Sequence, residues 1–253
     1  MKRTFFFDID GTLYDQGIEE STRKAIQQLI KQNDNVVIAS GRSFLGSKDI
    51  AKELGIHDVI CDGGNSIYVN GTCIYQKELD KKEYEKLVAL AKDNNIPYHY
   101  VDNEYYYGKT RSISFETVHP WIQYKGEVDP STIKVMKLSF DVTKEQSEFL
   151  NQHSDINMLL FKDCMCFVTD QNNKAEGIQH YVDTLDYPTQ VIVFGDSMND
   201  ISMFEAADIS ICMGNAMDEV KKHATYVTKD IHEDGIYHAL IHYGWIKNEK
   251  EMD

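Results

Sequence analysis

Three short apolar runs constrain this chain most: Phe5-Phe6-Phe7, Val36-Val37-Ile38-Ala39 and Val191-Ile192-Val193-Phe194. Each stops abruptly at small or polar residues, namely Asp8, Ser40-Gly41-Arg42 and Gly195-Asp196. Runs that are apolar at every position, rather than at every second one, read as strands buried on both faces. Helical spacing lies between and after them, with Ala25, Ile26, Leu29 and Ile30 beyond Ser21 and with Ala175, Ile178, Tyr181 and Val182 beyond Lys174. Strands alternating with amphipathic helices predict an α/β fold with a doubly wound, Rossmann-like parallel sheet. Ligands of such sheets sit beyond the carboxyl ends of the strands. The residues that end the runs are therefore where chemistry is to be sought.

Residues 81–170 follow a different pattern. Lys81 to Asp93 is a helix candidate with Tyr84, Leu87, Val88 and Ala91 on one face, followed by strand-like runs at 98–101, 105–107, 137–141 and 165–168. Thr143 and Gln146 fit a capping box that opens a second helix. This predicts an inserted α+β domain at 81–170, splitting a core domain into 1–80 and 171–253, with linkers near Lys77–Asp80 and Asp170–Asn173. Just before the insertion, apolar alternation around Asn70-Gly71 predicts a hairpin.

Charge excludes some functions. The 253 residues hold 26 Lys plus Arg against 41 Asp plus Glu, a net −15 that repels nucleic acid and anionic membrane surfaces. Asp8 and Asp10 interrupt the first apolar stretch before a secretory core could form, and no later run reaches the ~18 apolar residues of a membrane helix. Five cysteines make no disulfide framework in a chain of this size, which fits a cytoplasmic protein. Cys164 and Cys166 lack a second pair to complete a zinc site and read as small core residues.

Asp8 and Asp10 are two residues apart after a buried strand, so in extended chain both face one spot while Ile9 turns inward. Gly11 supplies a free turn and Thr12 a hydroxyl, and the amides of such a turn can hold an anion. Asp196 and Asp200 add two further carboxylates at the same sheet edge, and like charges so close need a cation to offset them. A hard divalent ion with oxygen ligands, Mg²⁺ first, is the expected solution. Lys174, at the start of a helix beyond the insertion, can neutralise both a carboxylate and a phosphoryl oxygen, which makes the group an electrostatic cage for phosphate. Each piece alone is weak: Asp-x-Asp-Gly also opens calcium loops, although a helix rather than a buried strand would lead into one. His238 and His242, four apart on a C-terminal helix, have no evident third ligand. Tyr105 to Tyr107 could line a pocket, but strand alternation puts at least one of them in the core.

Taken together and in order, Phe7-Asp8-Ile9-Asp10-Gly11-Thr12-Leu13, Ser40-Gly41-Arg42, Lys174 and Gly195-Asp196-Ser197-Met198-Asn199-Asp200 resemble the four motifs of the haloacid dehalogenase-like phosphatases. Gly214-Asn215-Ala216 with Lys221, and Glu233-Asp234-Gly235-Ile236, are similar to the Cof-type subfamily, whose larger α/β (type C2) cap would correspond to the insertion. The resemblance implies Asp8 as nucleophile, Asp10 as general acid and base, and Mg²⁺ held by Asp8, Asp196 and the Asp10 carbonyl. It also implies that Ser40 bonds the transferring phosphoryl group with Gly41 beside it, that Lys174 balances its charge, and that Asn199 and Asp200 order phosphate and metal shell. The substrate implied is a small phosphate monoester, such as a sugar phosphate or a phosphorylated cofactor, on a monomer or weak homo-oligomer. A phosphosugar mutase and a catalytically silent phosphate or Mg²⁺ binder are the alternatives, and retention of Asp10 argues against the binder. One departure stands out. Asp62-Gly63-Gly64-Asn65 replaces the group's usual Asn-Gly and brings an extra carboxylate that the sequence would place near the entrance.

Overall fold

The computed structural model describes residues 2–156, 158–161, 165–169 and 174–247. In chain order the first elements are β1 (Lys2–Phe7), α1 (Glu20–Lys31), β2 (Asn35–Ala39), α2 (Phe44–Leu54), β3 (Asp58–Cys61), β4 (Ser66–Val69) and β5 (Thr72–Gln76). Next come α3 (Lys81–Asp93), β6 (Tyr98–Val101), β7 (Tyr105–Tyr107), α4 (Ile113–Val118), β8 (Gln123–Tyr124), β9 (Lys137–Asp141), α5 (Lys144–Gln152), β10 (Met158–Phe161) and β11 (Cys166–Thr169). The chain ends through α6 (Lys174–Asp183), β12 (Thr189–Gly195), α7 (Ile201–Ala206), β13 (Ile209–Cys212), α8 (Asp218–Lys221), β14 (Tyr226–Val227) and α9 (Gly235–His242).

Two compact units result, one of Met1–Gly41, Ser47–Ile74 and Asn173–Asp253, the other of Arg42–Gly46 with Tyr75–Asn172. The expected linker at Asp170–Asn173 and Cys164 lie outside the described residues.

The larger sheet has the strand order β14-β13-β12-β1-β2-β3-β4-β5. It is parallel from β14 through β3, and β4 runs antiparallel to β3. The chain winds from β1 outward through β2 and β3, then returns to the other side of β1 as β12. The point where the winding reverses therefore lies between β1 and β12, whose register pairs Phe7 with Phe194. That reversal opens a crevice at the strands' carboxyl ends.

β1 is central because all three of its phenylalanines can be buried. Phe7 stacks on Phe194 at 4.6 Å, Phe6 meets the edge of Tyr181 at 5.7 Å and Phe5 that of Trp245 at 5.2 Å. Each such burial is worth roughly 1.5–3 kcal/mol. The strand that positions the site is thus fixed from both faces.

The second unit carries a sheet of order β10-β11-β9-β6-β7-β8. Tyr84, Leu87, Val88 and Ala91 of α3 and Leu150 of α5 bury one face of it with Leu138 and Phe140. Phe115 of α4 packs with Val101, Tyr106 and Val168. Asp80 caps α3 by accepting from the amides of Lys82 and Glu83, and the Thr143–Gln146 capping box opens α5. Helix α4, which the apolar periodicity does not mark, has six residues and is opened by Ser112, whose hydroxyl accepts from the Phe115 amide.

Candidate active site

Asp8 is the first residue past β1 and continues its pairing, its amide donating to the Phe194 carbonyl at 3.0 Å. The residue is 4 % exposed, and its side chain 6 %. Directly against it lies the Lys174 ammonium, fully buried at the first position of α6, which donates to Asp8 Oδ1 at 2.7 Å and to Asp200 Oδ1 at 2.6 Å. Asp200 turns its other oxygen back on its own loop. Oδ2 accepts from the amides of Asp196 and Ser197, both at 2.9 Å, and from the Ser197 hydroxyl at 3.3 Å. A fully buried carboxylate thereby shapes the loop that presents Asp196.

Two glycines make this possible. A Cβ on Gly195 would lie 2.5 Å from Asp200 Cγ, so only glycine lets the carboxylate fold against the strand end. Gly11 adopts φ +78°, and a Cβ there would lie 2.3 Å from Asp196 Oδ2. The loop after β1 and the loop after β12 therefore touch through backbone on one side and carboxylate on the other. Thr12 Oγ1 adds a bond to Asp196 Oδ1 at 3.4 Å.

One carboxylate oxygen from each of Asp8, Asp196 and Asp200 falls within 4.8 Å of the others, the one such group of possible metal ligands among the described residues. Burial raises the Asp8 carboxyl well above its ordinary 3.8; Lys174 opposes this and Asp200 adds to it. Asp196 is pushed up to about 7, by burial first and by the Asp200 charge second. Burial disfavours the Lys174 ammonium, but Asp200 and Asp8 outweigh it and hold the group charged, well above 10.5. With all groups ionised, three negative charges meet one positive charge, a surplus of two. All the facing donors are oxygens, which suits a hard divalent cation such as Mg²⁺.

The remaining expected residues border this group. Asp10 is exposed and bridges to Tyr14 in the tight turn that follows β1. Ser40, 1 % exposed, is the first residue past β2, with its amide on the Ile60 carbonyl at 2.9 Å and its own carbonyl accepting from Gly63 at 3.0 Å. Asn199 Nδ2 lies 3.8 Å from where a Cβ on Gly41 would stand, so the β2 and β12 loops approach each other there. Ser197 was not foreseen: its hydroxyl donates to Asn199 Oδ1 at 2.6 Å and orients that amide. The Gly-Asp-Ser-Met-Asn-Asp spacing held the signal, since a serine three residues before an aspartate can close a capping box.

Asp62 is not an entrance charge. It is 4 % exposed at φ +53°, and its carboxylate accepts from the Ser66 hydroxyl at 3.1 Å. His242 stacks on Tyr226 at 4.4 Å, and neither it nor His238 enters a metal-holding group among the described residues. Tyr106 is core, bonded through its hydroxyl to Glu116, and the Tyr107 hydroxyl donates to Asp102 at 2.8 Å.

Comparison with known proteins agrees with this geometry. The sequence model of a family described as haloacid dehalogenase-like hydrolase matches residues 5–240. The Bacillus subtilis protein YkrA, whose name carries a provisional phosphatase assignment, is 30 % identical over 97 % of this chain and 99 % of its own. YcsE of Bacillus subtilis, named as a 5-amino-6-(5-phospho-D-ribitylamino)uracil phosphatase, is 26 % identical over 93 % of each chain. Among solved structures, the HAD subclass IIB sugar phosphatase BT4131 superposes with a TM-score of 0.81 at 25 % identity, over 97 % of this chain and all of that one.

Proposed function

The chain belongs to the haloacid dehalogenase-like hydrolases and is a phosphatase, and on that premise we propose that it hydrolyses small phosphate monoesters with Mg²⁺ through an aspartyl phosphate at Asp8. The observation that carries this reading is the buried Asp8 carboxylate at the winding reversal, paired with Lys174 and within 4.8 Å of two further carboxylates.

An oxygen of Asp8 attacks phosphorus, and the bond from phosphorus to the ester oxygen breaks. Asp10, exposed beside that centre, gives its proton to the departing oxygen. Water then attacks the phosphorus of the acyl phosphate, Asp10 takes its proton, and free phosphate leaves with the Asp8 carboxylate restored. Lys174 stands against Asp8 throughout and offsets the charge of the phosphoryl oxygens. Ser40, Gly41 and Asn199 hold those oxygens from the β2 and β12 loops. Asp8, Asp196 and the Asp10 carbonyl would hold Mg²⁺, with Asp200 fixing the Asp196 loop, and the ion supplies charge neutralisation that lets an anionic nucleophile approach an anionic ester.

The substrate class is a sugar phosphate or a phosphorylated cofactor. Two relatives support it by name, one acting on a phosphorylated ribitylamino compound and one on sugar phosphates. The test is phosphate release from a panel of sugar phosphates, nucleotides, phosphorylated cofactors and a phosphopeptide, with Mg²⁺ and with excess chelator. We expect several small esters to be hydrolysed, activity lost in chelator and regained with Mg²⁺. A phosphopeptide giving the highest kcat/KM would overturn the substrate class, full activity in chelator would remove the metal, and an isomerised phosphosugar without free phosphate would make the enzyme a mutase.

A further inference from the structure

Asp10 and Gly11 open a segment that runs to Ser21 and is stitched along its outer side to residues 230–234. At one end Asn215 Nδ2 donates to the Gly11 carbonyl at 2.9 Å, while its Oδ1 accepts from the Ile231 amide at 3.1 Å. At the other end the Ser21 hydroxyl donates to Asp234 Oδ1 at 2.6 Å. Between them sits His232, with Nε2 3.0 Å from Asp15 Oδ2 and Nδ1 3.1 Å from Glu19 Oε1.

The two ring contacts set a chemical condition. A neutral imidazole has one N–H and one lone pair, so either tautomer bonds one carboxylate and turns its lone pair on the other. Only the imidazolium donates from both nitrogens. We propose that His232 is a positioning residue which, as an imidazolium bridging Asp15 and Glu19, pins the segment carrying Asp10 and so sets the alignment of the general acid. This rests on the reading of Asp10 given above.

The path from ring to site is short. Asp15 follows the turn in which the Tyr14 carbonyl accepts from Gly11 and Tyr14 bridges Asp10. Gly11 in turn packs its backbone against the Asp196 carboxylate. Leu13 and Ile18 anchor the inner side of the segment by burial. Its outer side depends on the polar stitches, and His232 is the stitch whose charge changes near neutrality. The groups facing the ring are Asp15 and Glu19. From its own loop, Asp230 accepts the His232 amide at 3.0 Å. Hydrogen bonds to Glu19 and Asp15 raise the imidazole above its ordinary 6.5, and the groups that act on its charge are all acidic. The clamp is thus complete at low pH and lost as pH rises through that elevated value.

The experiment follows kcat and KM from pH 5.5 to 9 on a small phosphate ester for the wild type, His232→Gln and the double variant Asp15→Asn/Glu19→Gln. The His232 Cε1–H signal is titrated by NMR in parallel, and circular dichroism confirms folding. Exposed ion pairs of this kind are worth about two- to fivefold. We expect wild-type kcat to fall by that factor across the histidine's titration with KM nearly unchanged. His232→Gln should lack this limb and sit at the lower plateau. The ring should titrate above 6.5 in the wild type and return toward 6.5 in the double variant. Superimposable profiles for wild type and His232→Gln, or a ring titrating at or below 6.5, would overturn the proposal. Asp8→Asn in the same assay separates the two readings: turnover there breaks the aspartyl-phosphate mechanism, whereas the ring's titration is read without any turnover.

Discussion

The crevice between β1 and β12 and the sheet of the second unit both bury ionisable side chains, but they resolve the cost in opposite ways. At the crevice, Asp8, Asp200 and Lys174 are nearly or wholly sealed from solvent and bonded to one another, Lys174 donating to both carboxylates, which hold its ammonium charged. In the second unit His99 is buried on β6 with its Nε2 against the Thr110 carbonyl, and its Nδ1 has no hydrogen-bond partner among the described residues. His119 likewise shields an unpartnered Nε2, packed on Phe115 and Trp121. Burial, with Lys137 and Arg42 nearby, depresses the His119 imidazole to about 3, and burial lowers His99 as well. A buried group keeps its charge where a partner of opposite sign is fixed beside it, and gives it up where none is. Function requires the first solution and stability alone accepts the second.

The sharpest way to break this contrast is at Lys174. Replacing it by methionine leaves the crevice carboxylates without their cation, so activity should vanish and stability should fall by about 3–5 kcal/mol. Asp8→Asn should also abolish turnover, yet it removes one of the surplus charges and should leave the denaturation midpoint in chelator unchanged or higher. Equal destabilisation by both variants would show that packing, not charge, governs the crevice. Asp10→Asn should lower kcat by about 10²–10⁴-fold with little effect on stability, as befits an exposed acid.

Next in size is the pH dependence without divalent cation, where the two regions have opposite signs. Folded Asp196 holds its proton up to about 7 and the unfolded residue loses it near 3.8, so its contribution to stability is complete below about 3.8 and is lost as pH rises from there through about 7. His99 and His119 are neutral when folded and take a proton near 6.5 when unfolded, so theirs is lost as pH falls below about 6.5. Between about pH 3.8 and 6.5 these contributions overlap with opposite sign, each group contributing up to about 1.4 kcal/mol per pH unit in denaturant titrations. In that window Asp196→Asn should make stability fall more steeply on acidification and His119→Gln less steeply; a slope that does not move in a variant assigns that group wrongly. The smallest effect is expected at Thr143→Ala, which removes one cap from α5, at about 1 kcal/mol. Its kcat should match the wild type.

Much of this was legible in the chain. Continuous apolar runs of about four residues read as strands covered on both sides, and the polar residues that stop them then emerge at one sheet edge, so Asp8, Ser40 and Asp196 could be picked out from the chain alone. Lys81 to Asp93 and the Thr143–Gln146 box were equally local, because helix spacing and capping act within a few residues. What the sequence could not state is which of these groups touch. Lys174 is 166 residues from Asp8 and 26 from Asp200, and its bond to both depends on α6 packing against the winding reversal. The same holds for Asp62, which the chain offers as a carboxylate near the entrance and the fold turns onto Ser66, and for His232, whose partners lie 217 and 213 residues away. Local pattern fixes elements because backbone periodicity is local; the charge state of a buried side chain is set by neighbours that only the tertiary fold brings within a few ångströms.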